Sequence, residues 1–171
     1  MLDSGRPSPY VAPVMAQRGA FVVGTTRVQE GGSDFTFPVT PGWLDRELEG
    51  CDHASAGEDG TFAIRVSPVS SGFWVDGHLS VRLKATCVRC LRDAETRMRI
   101  PFKVHMTPGP PESRDEEESV DEDGGLGVGH FQGTDMVLDS LVRESLVLAL
   151  PMNPTCPGGC SLEDLYRDGE D

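Results

Sequence analysis

Apolar and polar residues alternate with a period of two through the middle of the chain. From His78 to Thr86, Leu79, Val81, Leu83 and Ala85 point one way, and His78, Ser80, Arg82, Lys84 and Thr86 point the other. After a short break the alternation returns. Thr96, Met98, Ile100, Phe102, Val104 and Met106 share one face, and Glu95, Arg97, Arg99, Lys103 and His105 share the opposite one. Two such runs, each with one apolar and one polar face, predict an antiparallel pair lying on a core. "CVRCLRD" falls in their connection, which places it at the tip of a hairpin. "GAFVVGTT" (19–26), "DFTFPVT" (34–40) and "TFAIRVSPV" (61–69) read as further strands, rich in aromatic and β-branched residues. "WLDRELEG" (43–50) predicts two helical turns, with Trp43, Leu44 and Leu48 on one side and Gly50 as the stop, followed by the polar loop "CDHASAGEDG".

The period changes in "DMVLDSLVRESLVLALP" (135–151). With Thr134 or Asp135 as cap, a stripe through Val137, Leu138, Leu141, Val142 and Leu148, and Pro151 as stop, it predicts a buried helix of about four turns. The expected fold class is therefore α+β: a mostly antiparallel sheet, a short helix and a long C-terminal helix. Residues 1–18 lack a period and read as a flexible arm. Residues 19–160 form a single domain, and 161–171 are a polar tail. Within the domain, residues 107–129 carry three prolines, five glycines and the run "ESRDEEESVDED", which predicts a disordered acidic loop.

At 171 residues the chain can bury about two thirds of its unfolded surface, so folding does not depend on a metal. No run of about 18 apolar residues occurs, and the first residues lack the layout of a signal peptide, so a cytoplasmic protein is expected. The net charge of −13 argues against nucleic acid only until its distribution is read. Eight acidic groups lie in residues 112–123. By contrast Arg82, Lys84, Arg89, Arg92, Arg97, Arg99 and Lys103 meet only Asp93 and Glu95 across 22 residues, locally +5. Such a row on alternate strand positions can follow phosphates, although basic residues also protect solvated strand edges. No aromatic interleaves that face, so phosphate and shape contacts are expected rather than stacking. The acidic run reads as a solvated loop, or else as a mimic folding over the basic face until RNA displaces it.

Cys87-x-x-Cys90 and Cys156-x-x-x-Cys160 have the spacing of two thiolate pairs that can grip one tetrahedral metal, and Pro157 with two glycines favours a turn in the second pair. A closed four-cysteine site would hold one structural Zn²⁺ and tie the hairpin tip to the end of the last helix. The alternatives are reduced thiols without a metal, or a redox pair whose Cys87 would have a thiol pKa well below about 8.5. Cys51 and His53 form a weaker candidate pair. Phosphate-loop, metalloprotease and nucleophile-elbow motifs are absent, so catalysis and a small-molecule substrate are not expected.

"VDGHLSVRLKATCVRCL" (75–91) and "HFQGTDMVLDSLVRESLVLALPMNPTC" (130–156) resemble the YceD family, the large ribosomal RNA subunit accumulation proteins. The matching residues are Gly77, Cys87, Arg89, Cys90 and Leu91, then Arg143, Glu144, Leu148, Leu150, Pro151 and Cys156. Relatives often continue with Leu-Cys-Pro-x-Cys-Gly, where this chain has "SLEDLYRDGED". The resemblance implies a non-catalytic factor in large-subunit rRNA processing or accumulation. Its implied partners are rRNA, a pre-large-subunit particle and ribosomal or biogenesis proteins. A protein-docking zinc module that does not bind RNA is the rival reading.

Overall fold

The computed structural model describes residues 19–109 and 127–160. Eight strands and two helices follow in order: β1 Val22–Gly24, β2 Ser33–Val39, α1 Pro41–Glu47, β3 His53–Ser55, β4 Gly60–Val69, β5 Gly72–Thr86, β6 Asp93–Pro108, β7 Gly127–Phe131, β8 Asp135–Val137 and α2 Asp139–Ala149. The main sheet has the order β2-β4-β5-β6-β7, antiparallel except where β7 lies parallel to β6. β3 pairs with β5 beyond the end of β4, and β1 and β8 form a separate two-stranded ribbon.

The predicted hairpin is the spine. β5 and β6 stay in register from Phe73↔Met106 to Thr86↔Asp93, a ribbon of about 45 Å at the usual rise per residue. Its inner positions Leu79, Val81, Leu83, Ile100, Phe102 and Val104 are buried. Gly77 sits where β5 is squeezed between β4 and β6: a Cβ there would lie against the Ala63 carbonyl oxygen and Ile64 Cα. Phe21 meets Trp43, Phe62 and Phe37 edge-on at 4.9, 5.2 and 5.9 Å, and Phe62 meets Phe102 at 5.0 Å. Each such pair adds about 0.5–1.5 kcal/mol to the burial itself. Thr40 caps α1 by accepting the Trp43 N–H, and Pro41 occupies the first turn, where a missing N–H costs nothing.

The structure corrects the expected fold class. Among the described residues the fold is mostly strand with two short helices and no long C-terminal helix. α2 has eleven residues and starts at Asp139, because Asp135–Val137 is a strand paired with β1. Exposed Asp135 and Val137 alternate there with buried Met136 and Leu138, a period of two that the helical spacing hides. Two stripe residues therefore face outward: Val137 is 46 % exposed and Leu148 79 % exposed. The buried line is Leu138, Val142 and Leu146, flanked by Leu141 and Val147. The Asp139 carboxylate accepts the Ala20 and Phe21 N–H groups at 2.8 and 3.0 Å, which fastens the start of α2 to the first strand.

β6 runs to Pro108 and β7 starts at Gly127, so strand reaches into both ends of the segment expected as a loop. Its middle, the arm 1–18 and the tail 161–171 lie outside the described residues. Among the described residues no helix is long and apolar enough to cross a membrane.

Candidate metal centre and nucleic-acid face

Residues 87–92 close the β5–β6 ribbon as a tight knuckle. The Cys87 N–H donates to the Arg92 carbonyl at 2.8 Å, and the Leu91 N–H donates back to the Cys87 carbonyl at 3.0 Å. Closing the loop this tightly puts Leu91 at φ 57°, a left-handed conformation that costs a leucine about 1–2 kcal/mol. The wrap turns backbone N–H groups onto sulfur, with Arg89 N 3.4 Å from Cys87 Sγ. The N–H groups of Cys90 and then Arg89 draw the Cys87 thiol down to about 6, against burial, which raises it. Cys90 is lowered in the same way, first by the Arg92 N–H.

The second pair arrives from α2. After Leu150 the chain turns back along the hairpin, and the buried Pro154 accepts the Val88 N–H through its carbonyl at 2.9 Å. Gly158 and Gly159, at φ 85° and 87°, then make the turn that returns Cys160 toward Cys156. Both conformations favour glycine. Cys87 Sγ lies 3.4 Å from Cys160 Sγ, and Cys90 Sγ lies 3.4 Å from Cys156 Sγ. All four sulfurs fall within 4.8 Å of one another. Four thiolates at the usual Zn–S length of about 2.3 Å would be about 3.8 Å apart, so the spacing fits a tetrahedral ion.

Charge within the cluster points the same way. Hydrogen bonding to Cys90 and then Cys87 pushes the Cys156 thiol up to about 12, and contact with Cys87 raises Cys160. Two sulfurs ionise readily, and their charge holds protons on the other two. A divalent cation removes that conflict, and four sulfur donors suit a structural Zn²⁺ with no open position for water. A lowered Cys87 is also what thiol redox chemistry would need. Cys87 is fully buried, however, and reactive thiols are at least partly exposed. Cys51 and His53 line a cavity of about 540 Å³ beside the knuckle and do not join the cluster.

The basic residues spread over the ribbon's outer face and tip. Arg89 and Arg92 are exposed in the knuckle, and Lys84, Arg97, Arg99 and Lys103 are exposed on the strands. Arg82 is half-buried, donating to Glu58 at 2.7 Å and lying 4.0 Å from Glu95. It stands directly opposite Arg97, and the carboxylates of Glu58 and Glu95 offset that like-charge pairing. Beside them a groove of about 810 Å³ opens toward the returning segment Pro151–Gly158. Arg99 donates to His78 Nδ1 at 3.4 Å. Acidic groups are closer than the sequence suggests, since Asp76 faces Lys103 and Glu95 faces Lys84 across the strands.

One expectation about this face is overturned. Because β5 starts at Gly72, Trp74 joins the row with Asp76 and His78. Its ring stacks on His105 with centroids 4.6 Å apart and planes 31° from parallel, and Lys103 Nζ lies 5.9 Å from its centroid. Carrying the alternation two steps upstream of His78 would have found it.

A sequence profile described as "Large ribosomal RNA subunit accumulation protein YceD" matches residues 75–171, which include most of the hairpin, both cysteine pairs and α2. No curated protein and no solved structure matches the chain.

Proposed function

The chain belongs to the YceD family of large ribosomal RNA subunit accumulation proteins, and from that premise we propose that it is a non-catalytic cytoplasmic factor that contacts rRNA, or a pre-large-subunit particle, through the outer face of β5–β6. The observation that carries this reading is the one-sided ribbon. One face is buried in the core, and the other presents Lys84, Arg97, Arg99 and Lys103 with Arg89 and Arg92 at its tip. Cys87, Cys90, Cys156 and Cys160 hold a structural Zn²⁺ that fixes the tip, so that Arg89 meets its phosphate without first losing loop freedom.

The test is sedimentation of the tagged protein from native lysate, with and without ribonuclease, beside an Arg97→Glu/Arg99→Glu variant. Co-migration of the wild type with large-subunit precursors, lost on ribonuclease treatment and in the variant, is the expected result. A wild type that stays at the top of both gradients would falsify the particle contact.

A second reading has its own observation. Val88, Leu91 and Met152 stand exposed around the knuckle and line one cavity with Pro154, a surface suited to docking a protein. Salt separates the two: phosphate contacts weaken steeply between low and physiological salt, whereas apolar docking barely changes.

A further inference from the structure

The end of the ribbon farthest from the cysteines has a different chemistry from the rest of the face. Across the strands the register runs Ser67, Trp74, His105 and then Val128. His105 covers one side of the indole and is itself held by Ser71 Oγ, 3.1 Å from its Nε2. On the β4 side the register partner is Ser67, whose side chain is too small to cover an indole. Thr107 Oγ1 lies 2.9 Å from His130 Nδ1 on the same face. The indole is backed by His105, has Lys103 Nζ over its ring at 5.9 Å from the centroid, and is only partly buried. On the adjoining strand Lys103 lies one alternate position from His105, and Arg99 lies three.

We propose that Trp74, backed by His105 and flanked by Lys103, is a stacking site for an unpaired base of the bound RNA. This deepens the rRNA reading and rests on it. An aromatic face accepts any base, and a cation beside it holds the neighbouring phosphate, which together select single-stranded over duplex RNA. A base inside a duplex is covered by its neighbours and cannot lie on Trp74. The ribbon would then grip an RNA in two ways, with phosphates on the arginines near the clamp and a splayed base at the far end. Trp74 lies eight residues before Arg82 on an extended strand, about 27 Å away, so one site would span several nucleotides.

The two tryptophans allow a direct readout. Trp43 is buried in the core and Trp74 lies on the face, so quenching by a soluble oligonucleotide reports Trp74. The metal-loaded protein is titrated with an oligouridylate and an oligoadenylate of about 12 nucleotides, and with a blunt duplex of the same length. The single strands should quench the emission. Read by the anisotropy of end-labelled probes, since the variants lack the reporter, Trp74→Ala should weaken single-strand binding about five- to hundredfold, Trp74→Phe should retain most of it, and duplex affinity should not change. If the wild type binds all probes and Trp74→Ala binds them equally well, the stacking site is wrong and the rRNA reading stands. If the wild type binds none of them, the rRNA reading falls and the stacking site falls with it. Unchanged Trp43 emission and metal content in the variants exclude misfolding as the cause of a loss.

Discussion

Removing the metal should release the segment 151–160 and leave the sheet standing. Among the described residues, two ties outside the cluster hold that segment near the knuckle: the Val88 N–H to the Pro154 carbonyl and the burial of Pro154. The hydrogen bond contributes about 1 kcal/mol and the proline's apolar burial about 1–2. Fixing the backbone of ten residues costs about 1 kcal/mol or more each, reduced at Pro151, Pro154 and Pro157, where φ is already set. The segment is therefore short of stability by several kcal/mol unless a metal worth about 10 kcal/mol or more holds the four sulfurs. The β5–β6 ladder and the Phe21–Phe62–Phe102 core involve none of these residues and should persist. Backbone hydrogen exchange reads both regions at once, before and after chelation and in Cys156→Ser. The Val88 amide should lose its protection while the ladder amides keep theirs. Unchanged Val88 protection after the metal is gone would refute the arithmetic. Loss of the ladder amides together with Val88 would refute the claim that the core stands alone.

The same metal-free protein gives a pH prediction. The knuckle's own N–H groups still face Cys87, so its thiolate absorbance should appear with a midpoint below the ordinary 9.0, and Cys156, parted from Cys90 and Cys87, should fall from its raised value back toward 9.0. Because the folded value of Cys87 is depressed, its contribution to stability is complete above pH 9.0 and is lost as pH falls through about 6. A first midpoint near 9 in the thiolate titration would contradict this. In chemical denaturation Leu146→Ala should cost about 2–5 kcal/mol and Leu148→Ala less than about 0.5, since only the first side chain is buried; equal costs would mean that the helix face is misassigned. Gly77→Ala should cost about 1–3 kcal/mol by pushing β4 away from β5, seen as a lower denaturant midpoint, and an unchanged midpoint would rule out that close approach.

The elements legible in the sequence were those long enough to show a period. The ribbon at 78–86 and 96–106 was readable because burial on one face enforces alternation over many residues. α1 was readable from Trp43, Leu44 and Leu48. β1 was read within 19–26 from its aromatic and β-branched residues, whereas β3 and β8 have three residues each, too few for a period, and depend on partners distant in sequence. The start of α2 was misplaced because Val137 and Leu138 suit both a helix stripe and a strand end, and only pairing with β1 decides between them. The two cysteine spacings marked the candidate ligands. Their meeting depends on a return of the chain after Leu150 that no local pattern encodes. The basic row was readable, whereas its neighbours Glu58 and Trp74 required the true strand ends.

The clamp also has a consequence in time. Its halves are 73 positions apart at Cys87 and Cys160, so a ribosome adding about 5–20 residues per second makes the first pair about 4–15 s before the second is complete. During that interval the hairpin can close by local pairing, but its tip holds only two thiols, one of them ionised near neutral pH. A metal caught then must fill its remaining positions with water or with another molecule's donors, and must exchange them when Cys156 and Cys160 arrive. The nascent knuckle is thus open to metal transfer and to oxidation for seconds, and protected from both once the second pair has closed over it.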